Sequence, residues 1–117
     1  MKRATLCSTL FAALCVSPLA NADVLNTPNF TITITVKCPE GEVTCNNVSY
    51  VGVSKKSGQN ISLKGKTLHT KGPGGAPGRF LGYEFKNGNV RYLVTEEGNL
   101  IVSNGSKVLV EESGQWE

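Results

Sequence analysis

The chain has 117 residues and a formal net charge of +3, a length that suits one domain with a small hydrophobic core. Lys2 and Arg3 lie in an amino-terminal stretch that we expect to be removed, which leaves ten basic and nine acidic side chains in residues 23–117. This near balance excludes a globally basic, nucleic-acid-binding protein.

Residues 1–22 have the three-part layout of a secretory signal peptide. Lys2 and Arg3 provide a positive start, residues 4–16 are mostly apolar, and the sequence Ala-Asn-Ala ends at residue 22. The apolar run has 13 residues, fewer than the roughly 20 that a membrane-spanning helix requires. We therefore predict cleavage after Ala22 and one exported domain, residues 23–117, without a transmembrane segment. Its location would be the bacterial periplasm or the surrounding medium.

Export leaves two cysteines, Cys38 and Cys45, because Cys7 and Cys15 lie within the predicted signal peptide. An oxidising compartment favours a disulfide between them. Closing such a short loop stabilises a fold by roughly 2–3 kcal/mol in the chain-entropy model. A redox pair typically has two residues between its cysteines, and a zinc site needs more ligands than His69 adds. We therefore predict a structural disulfide and no metal site.

The first predicted elements of the exported region are strands. Residues 29–38, NFTITITVKC, alternate apolar residues with threonine or lysine, which predicts a half-buried strand with a threonine-rich solvent face. Residues 42–54 predict one or two further strands, and residues 61–70 predict a short strand pair interrupted at Gly65. Glycine and proline dominate residues 71–79, which predicts a long irregular loop.

Three turn signals divide the remainder of the chain into a four-stranded antiparallel meander. They are the pair Asn87-Gly88 and the single glycines Gly98 and Gly105, each between short apolar runs. The predicted register pairs Phe85 with Val90, Val94 with Leu100, and Val102 with Val108.

One face of this meander is predicted to be apolar throughout. It consists of Leu81, Tyr83, Phe85, Val90, Tyr92, Val94, Leu100, Val102, Val108 and Val110. The opposite face has a second apolar row, Leu93, Ile101 and Leu109. Either the amino-terminal half of the domain covers this row, or the row is an exposed strip that binds a partner.

No helical periodicity is present in residues 23–117. With four or so strands before the meander, the sequence predicts an all-β domain. Its architecture would be a small antiparallel barrel or a two-sheet sandwich that ends in the four-stranded meander and contains one disulfide.

Residues with catalytic chemistry are scarce in the exported region. It has one histidine, His69, and one aspartate, Asp23, whereas acid–base or nucleophilic catalysis needs a base with an orienting partner. Glu96 and Glu97 are adjacent, as are residues 111 and 112, and adjacent residues on a strand point to opposite faces. We therefore predict no enzymatic activity and no cofactor.

Charge is distributed unevenly along the exported region. Residues 43–83 contain six basic residues and no acidic one, whereas residues 84–117 have a net charge of −3. A solvated lysine face that neutralises the acidic sheet is one explanation. The other is a binding protein for an anionic envelope ligand, which would be a glycan, a lipid headgroup or a protein surface. Its candidate ligand-binding residues are Lys64, Lys66, His69, Lys71 and Arg79.

The meander sequence YEFKNGNVRYLVTEEGNL, residues 83–100, resembles the barrel strands of c-type lysozyme inhibitors. The chain departs from that family in having a single cysteine pair after the predicted signal peptide and no counterpart of the family's serine-bearing loop. The resemblance implies an alternative function. The protein would then be a protein-directed inhibitor or immunity factor that acts through the acidic carboxyl-terminal sheet.

Overall fold

The computed structural model describes residues 21–117, and residues 1–20 of the predicted signal peptide lie outside this described part. The described residues form nine antiparallel strands in one nearly closed, barrel-like sheet, which confirms the predicted all-β class. The strands are β1 (Asn21–Asn26), β2 (Phe30–Val36), β3 (Val48–Ser54), β4 (Asn60–Lys71), β5 (Pro77–Asn87), β6 (Val90–Thr95), β7 (Asn99–Asn104), β8 (Lys107–Ser113) and β9 (Gln115–Trp116). Within this region no helix has the length and apolar character that crossing a membrane requires.

The strands follow one another as a meander, and the carboxyl terminus nearly closes it. β9 turns back to pair with β1, with Trp116 opposite Leu25. The Glu112 carboxylate accepts hydrogen bonds from the backbone and the side chain of Asn29, 3.1 and 2.5 Å long. The indole N–H of Trp116 donates to the Glu96 carbonyl over 2.9 Å. The last residues therefore connect the first two strands to the β6–β7 turn.

The hydrophobic core fills the interior of the barrel and follows the alternation of the strands. On β2, Ile32 and Ile34 are fully buried while the intervening threonines are half-buried, as the sequence pattern predicted. Each fully buried aliphatic side chain contributes about 1.5–3 kcal/mol through removal from water. The other buried apolar residues are Leu25, Cys45, Val48, Tyr50, Tyr83, Phe85, Val94, Leu100 and Val102.

β4 is one 12-residue strand rather than the predicted strand pair, and it changes partner at Gly65. Gly65 lies opposite both Val48 of β3 and Phe85 of β5. Residues before it pair only with β3, and residues after it pair only with β5. A Cβ at position 65 would lie 1.9 Å from the Glu84 carbonyl oxygen, so the glycine permits this close approach. Before Gly65, β4 no longer pairs with β5. The amino-terminal half of the barrel (β1–β4) and the carboxyl-terminal half (β5–β8) therefore separate there.

The connection between β4 and β5 is shorter than the predicted loop of residues 71–79. β4 extends to Lys71 and β5 begins at Pro77, so only residues 72–76 form the turn. The Gly72 N–H donates to the Ala76 carbonyl over 2.6 Å, and Gly74 adopts φ +71°. The glycines and prolines thus form a tight turn, and the residues on either side of it belong to the paired strands β4 and β5.

The predicted four-stranded meander is present as β5–β8, with a corrected register at its first turn. The turn residues are 88 and 89 rather than 87 and 88, so Phe85 opposes Tyr92 instead of Val90. This moves each pairing by two residues, and side chains therefore stay on their predicted faces. The second turn has the predicted register, with Val94 opposite Leu100.

The third turn also differs, and it removes Val108 from the predicted apolar face. The pairing is irregular next to Val102, which opposes Val110 instead of Val108. Val108 is consequently 52% exposed. A comparable irregularity at Gly82, with φ +147°, leaves Leu81 outside the core.

The second apolar row lies on the outer surface of the barrel. Leu93 and Ile101 oppose each other on β6 and β7, and both are half-buried. Leu109 on β8 is 47% exposed. None of the three belongs to the core, so no amino-terminal element buries them within the described residues.

The predicted disulfide between Cys38 and Cys45 is formed, with a Cα–Cα distance of 5.8 Å. The Cys45 N–H donates to the Thr67 hydroxyl over 3.0 Å, and the Thr67 N–H donates to the Cys45 carbonyl over 2.9 Å. The disulfide loop is thereby held against β4, two residues beyond the partner change at Gly65.

Candidate ligand-binding sites

Three concave surfaces of the described residues are candidate binding sites. An apolar cleft of about 490 Å³ lies between β2–β4 and β6–β8. A basic groove of about 390 Å³ lies outside the barrel where β4 leaves β5. An acidic aromatic pocket of about 240 Å³ lies among β1, β5, β9 and the β6–β7 turn.

The basic groove follows from the strand register around Gly65. Its lining residues are Asn46, Lys64, Gly65, Lys66, Glu84 and Lys86. Lys64 and Lys66 are two residues apart and therefore project from the same outer face of β4. Lys86 and Glu84 occupy the corresponding face of β5, with Glu84 opposite Lys66.

One carboxylate lies among the cations of the basic groove. The Glu84 side chain is 14% exposed and accepts a hydrogen bond from Arg91 Nε. Lys66 Nζ lies 3.9 Å from the other carboxylate oxygen. With Lys64 and Lys86 included, four cations surround one carboxylate, so the surface has a net positive charge.

The five predicted ligand-binding residues do not lie together. Lys64 and Lys66 line the basic groove, whereas Lys71 and Arg79 are exposed at the far end of β4 and β5. His69 faces Phe80, with ring centroids 5.6 Å apart. Both of its ring nitrogens are buried, and neither has a hydrogen-bond partner within residues 21–117.

Sequence reasoning missed three residues at or beside the groove. Lys86 and Arg91 face each other in the β5–β6 hairpin only in the observed register, which differs by two residues from the one that the Asn87-Gly88 turn signal predicted. Asn46 reaches the groove because the disulfide holds its loop against β4. No local sequence signal indicates that long-range contact.

The apolar cleft opens where the two halves of the barrel separate. Its apolar walls include Phe30, Ile61, Tyr92 and Val110, and its polar lining residues are Ser54, Ser57, Gln59 and Asn60. No charged residue lines it. Such a cavity accepts an apolar group and offers neutral hydrogen-bonding groups.

Tyr50 forms the inner wall of the apolar cleft. Its ring centroid lies 5.4 Å from that of Tyr92 and 5.1 Å from that of Phe85. A Cβ at Gly52 would lie 2.7 Å from the Tyr50 hydroxyl oxygen, so the absent side chain makes room for the ring. Burial, reinforced by Tyr92, raises the pKa of Tyr50 above its usual range, so the phenol is neutral at physiological pH.

The acidic aromatic pocket is lined by Asp23, Phe80, Tyr83, Glu96 and Trp116. Phe80 and Tyr83 pack edge to face, with centroids 5.2 Å apart and an interplanar angle of 69°. Burial, followed by the charges of Asp23 and Glu96, raises the pKa of Tyr83.

Within residues 21–117, no three His, Cys, Asp or Glu side chains are grouped so that they could hold a metal ion. Comparison of the chain with protein-family models, with curated proteins and with solved structures finds no match. The geometry and charge of the three surfaces are therefore the basis for proposing what the protein does.

Proposed function

We propose that the protein is a small exported, non-enzymatic binding protein whose ligand is anionic. The observation that supports this function is the basic groove, in which Lys64, Lys66 and Lys86 converge beside the Asn46 amide. Arg91 and Lys66 already neutralise Glu84. Lys64 and Lys86 form no ion pair within the described residues, so both are available to a ligand.

The chemistry of these side chains favours phosphate, sulfate or carboxylate oxygens. Lysine ammonium groups donate to anionic oxygens as compact charges, and an amide N–H adds one directional hydrogen bond. Because the lysines are exposed, the interaction would be screened within about 8–10 Å at physiological salt and would weaken as salt increases. An anionic glycan or lipid headgroup of the bacterial envelope provides this chemistry.

Export is part of the proposal, and the layout of residues 1–22 supports it. Expression of the full chain in a Gram-negative host, followed by fractionation and mass determination, tests it. We expect a periplasmic or medium fraction whose chain begins at Asp23. A full-length chain in the cytosol would contradict export.

Binding is tested by elution from heparin agarose and by sedimentation with phosphatidylglycerol vesicles, both over a salt gradient. We expect the double variant Lys64→Glu/Lys66→Glu to lose retention near physiological salt. The matched control Lys71→Glu/Arg79→Glu has the same change of charge but lies outside the groove, and it should retain most of the binding. Equal losses in the two variants would indicate a response to net charge and would reject the groove.

A second candidate function is supported by the second apolar row, which lies on the outer surface of the carboxyl-terminal sheet. Leu109 of this row is 47% exposed, the neighbouring Val108 is 52% exposed, and Glu111 lies opposite Ile101 on the same sheet. An apolar strip beside carboxylates suits a basic protein partner. We propose as the alternative that the protein is an inhibitor or immunity factor directed at such a partner.

Hen egg-white lysozyme is a basic enzyme that serves as a probe for this alternative. If it is correct, excess protein lowers the rate of cell-wall lysis, and Leu109→Ser restores that rate without loss of fold. A lysis rate that does not change at any protein concentration would reject lysozyme as the partner.

A further inference from the structure

The acidic aromatic pocket lies at the opposite end of the strands from the mouth of the apolar cleft. Its residues come from the first half of β1, from the first half and the middle of β5, from the β6–β7 turn and from β9. The cleft is instead lined by the β3–β4 turn and by the first residue of β2. The pocket is therefore a separate site, and its lining charge is opposite to that of the basic groove.

Asp23 lies in register with the inward-facing residues of β1, at a solvent-exposed position. It precedes the fully buried Leu25 by two residues and lies opposite the fully buried Ile34, so strand alternation places it in the same row, where it lines the pocket. Glu96 contributes a second carboxylate from the β6–β7 turn. The ion pairs of the described residues all involve Glu84, so neither pocket carboxylate has a cationic side chain as its partner there.

The remaining walls of the pocket are aromatic. Phe80 and Tyr83 are held in an edge-to-face pair, and the hydrogen bond to the Glu96 carbonyl fixes the indole of Trp116. Aromatic faces attract cations, and carboxylates beside them add Coulombic attraction. An alkali-metal ion would receive only two carboxylates, whereas an alkylated cation also gains contact with three rings.

We propose that the acidic aromatic pocket binds an organic cation, namely an alkylated ammonium or a guanidinium group. About 240 Å³ accommodates a group of this size but not a large ligand. The cation is either a free small molecule or the end of a lysine or arginine side chain of a partner. This inference goes beyond the anionic ligand of the basic groove and does not depend on it.

Trp116 is the sole tryptophan of the chain, and its fluorescence reports directly on the pocket. Choline is titrated against its neutral isostere 3,3-dimethylbutan-1-ol, and Nα-acetylarginine amide is titrated against Nα-acetylcitrulline amide. We expect saturable changes in emission for at least one cation, with at least tenfold weaker binding of its neutral counterpart. Selective binding of choline assigns the site to a small cation, and selective binding of the arginine amide assigns it to a protein side chain.

The double variant Asp23→Asn/Glu96→Gln should weaken binding of the effective cation at least tenfold. Glu97→Gln is the matched control, because Glu97 lies in the same turn but does not line the pocket. Glu96→Gln alone, in an exposed turn, serves as the test if the double variant does not fold. Absence of saturable binding for both cations, equal binding of the neutral isosteres, or an equal loss in Glu97→Gln would overturn the proposal.

Discussion

At residue 65 the backbone of β4 comes so close to Glu84 of β5 that a side chain has no space. This contact lies where β4 exchanges β3 for β5 and where the basic groove is formed. A single glycine therefore determines both the division of the barrel and the position of the lysines. Its importance is local and steric, because the nearest atom to a Cβ at this position would be the Glu84 carbonyl oxygen and the next would belong to the buried ring of Phe85.

Gly65→Ala should lower the free energy of unfolding by about 2–4 kcal/mol, because its methyl group would force β4 and β5 apart. Urea denaturation measures this change. Ser62→Ala, at an exposed position on the same strand, is the control and should change the free energy by less than about 0.5 kcal/mol. Similar values for the two variants would show that the strands separate without strain.

His69 is a polar residue whose ring packs against that of Phe80. Burying a polar atom without a hydrogen bond is unfavourable, and both nitrogens of this ring are buried without a partner inside residues 21–117. We therefore expect His69→Phe to leave the free energy of unfolding unchanged or to raise it by up to about 1 kcal/mol. Urea denaturation again provides the measurement. A loss of more than about 1 kcal/mol would indicate a hydrogen bond to the imidazole.

At the scale of elements, the disulfide loop connects stability with the proposed binding function. The loop holds Asn46 in the basic groove through the pair of hydrogen bonds between Cys45 and Thr67. The crosslink therefore lowers the conformational entropy of the unfolded chain and also positions an amide that lines the proposed binding groove. These two roles can be separated by mutation.

The double variant Cys38→Ser/Cys45→Ser should lower the free energy of unfolding by about 2–3 kcal/mol, because the unfolded chain gains entropy. It should also elute from heparin agarose at lower salt. Asn46→Ala, with the disulfide intact, should reproduce the earlier elution but leave the unfolding transition in place. Wild-type elution of both variants would exclude the loop from the binding site.

Local patterns predicted the strands but not their complete register. The alternation of residues 29–38 and the glycines at turns are properties of short segments, and β2 and the meander β5–β8 follow from them. The irregularities at Gly82 and next to Val102 do not follow, because contacts with neighbouring strands determine them. Local patterns consequently predict Leu81 and Val108 on the apolar face, where the structure does not have them.

The candidate sites, like the strands, could be predicted from the sequence only where local spacing determines them. The spacing of Lys64 and Lys66 placed both on one face of a strand, and both line the basic groove. The acidic aromatic pocket combines β1, β5 and β9, which are far apart in sequence. The sequence therefore identifies Asp23 only as the lone aspartate of residues 23–117, and its place in the pocket depends on pairing with β2.

At the scale of the whole molecule, the barrel separates its charges. Cations surround the basic groove outside β4–β6, and the carboxylates of Asp23 and Glu96 line the acidic aromatic pocket at one end. Between them the interior is apolar and aromatic, with Tyr50 and Tyr83 in the core. The stability of this interior depends on both phenols remaining neutral.

Alkaline solution should therefore destabilise the barrel. Burial raises the pKa of both Tyr50 and Tyr83 in the folded protein, whereas in the unfolded chain they ionise near their ordinary value of about 10. Below that pH both states keep the protons, and the stability is fully present. As the pH rises above about 10, the unfolded state loses protons that the folded state retains, so the free energy of unfolding falls.

Thermal denaturation at increasing pH should show this decline, and Tyr50→Phe should make it shallower because one of the two phenols is removed. An identical slope in the variant would show that Tyr50 ionises equally in both states and is not shielded by the core.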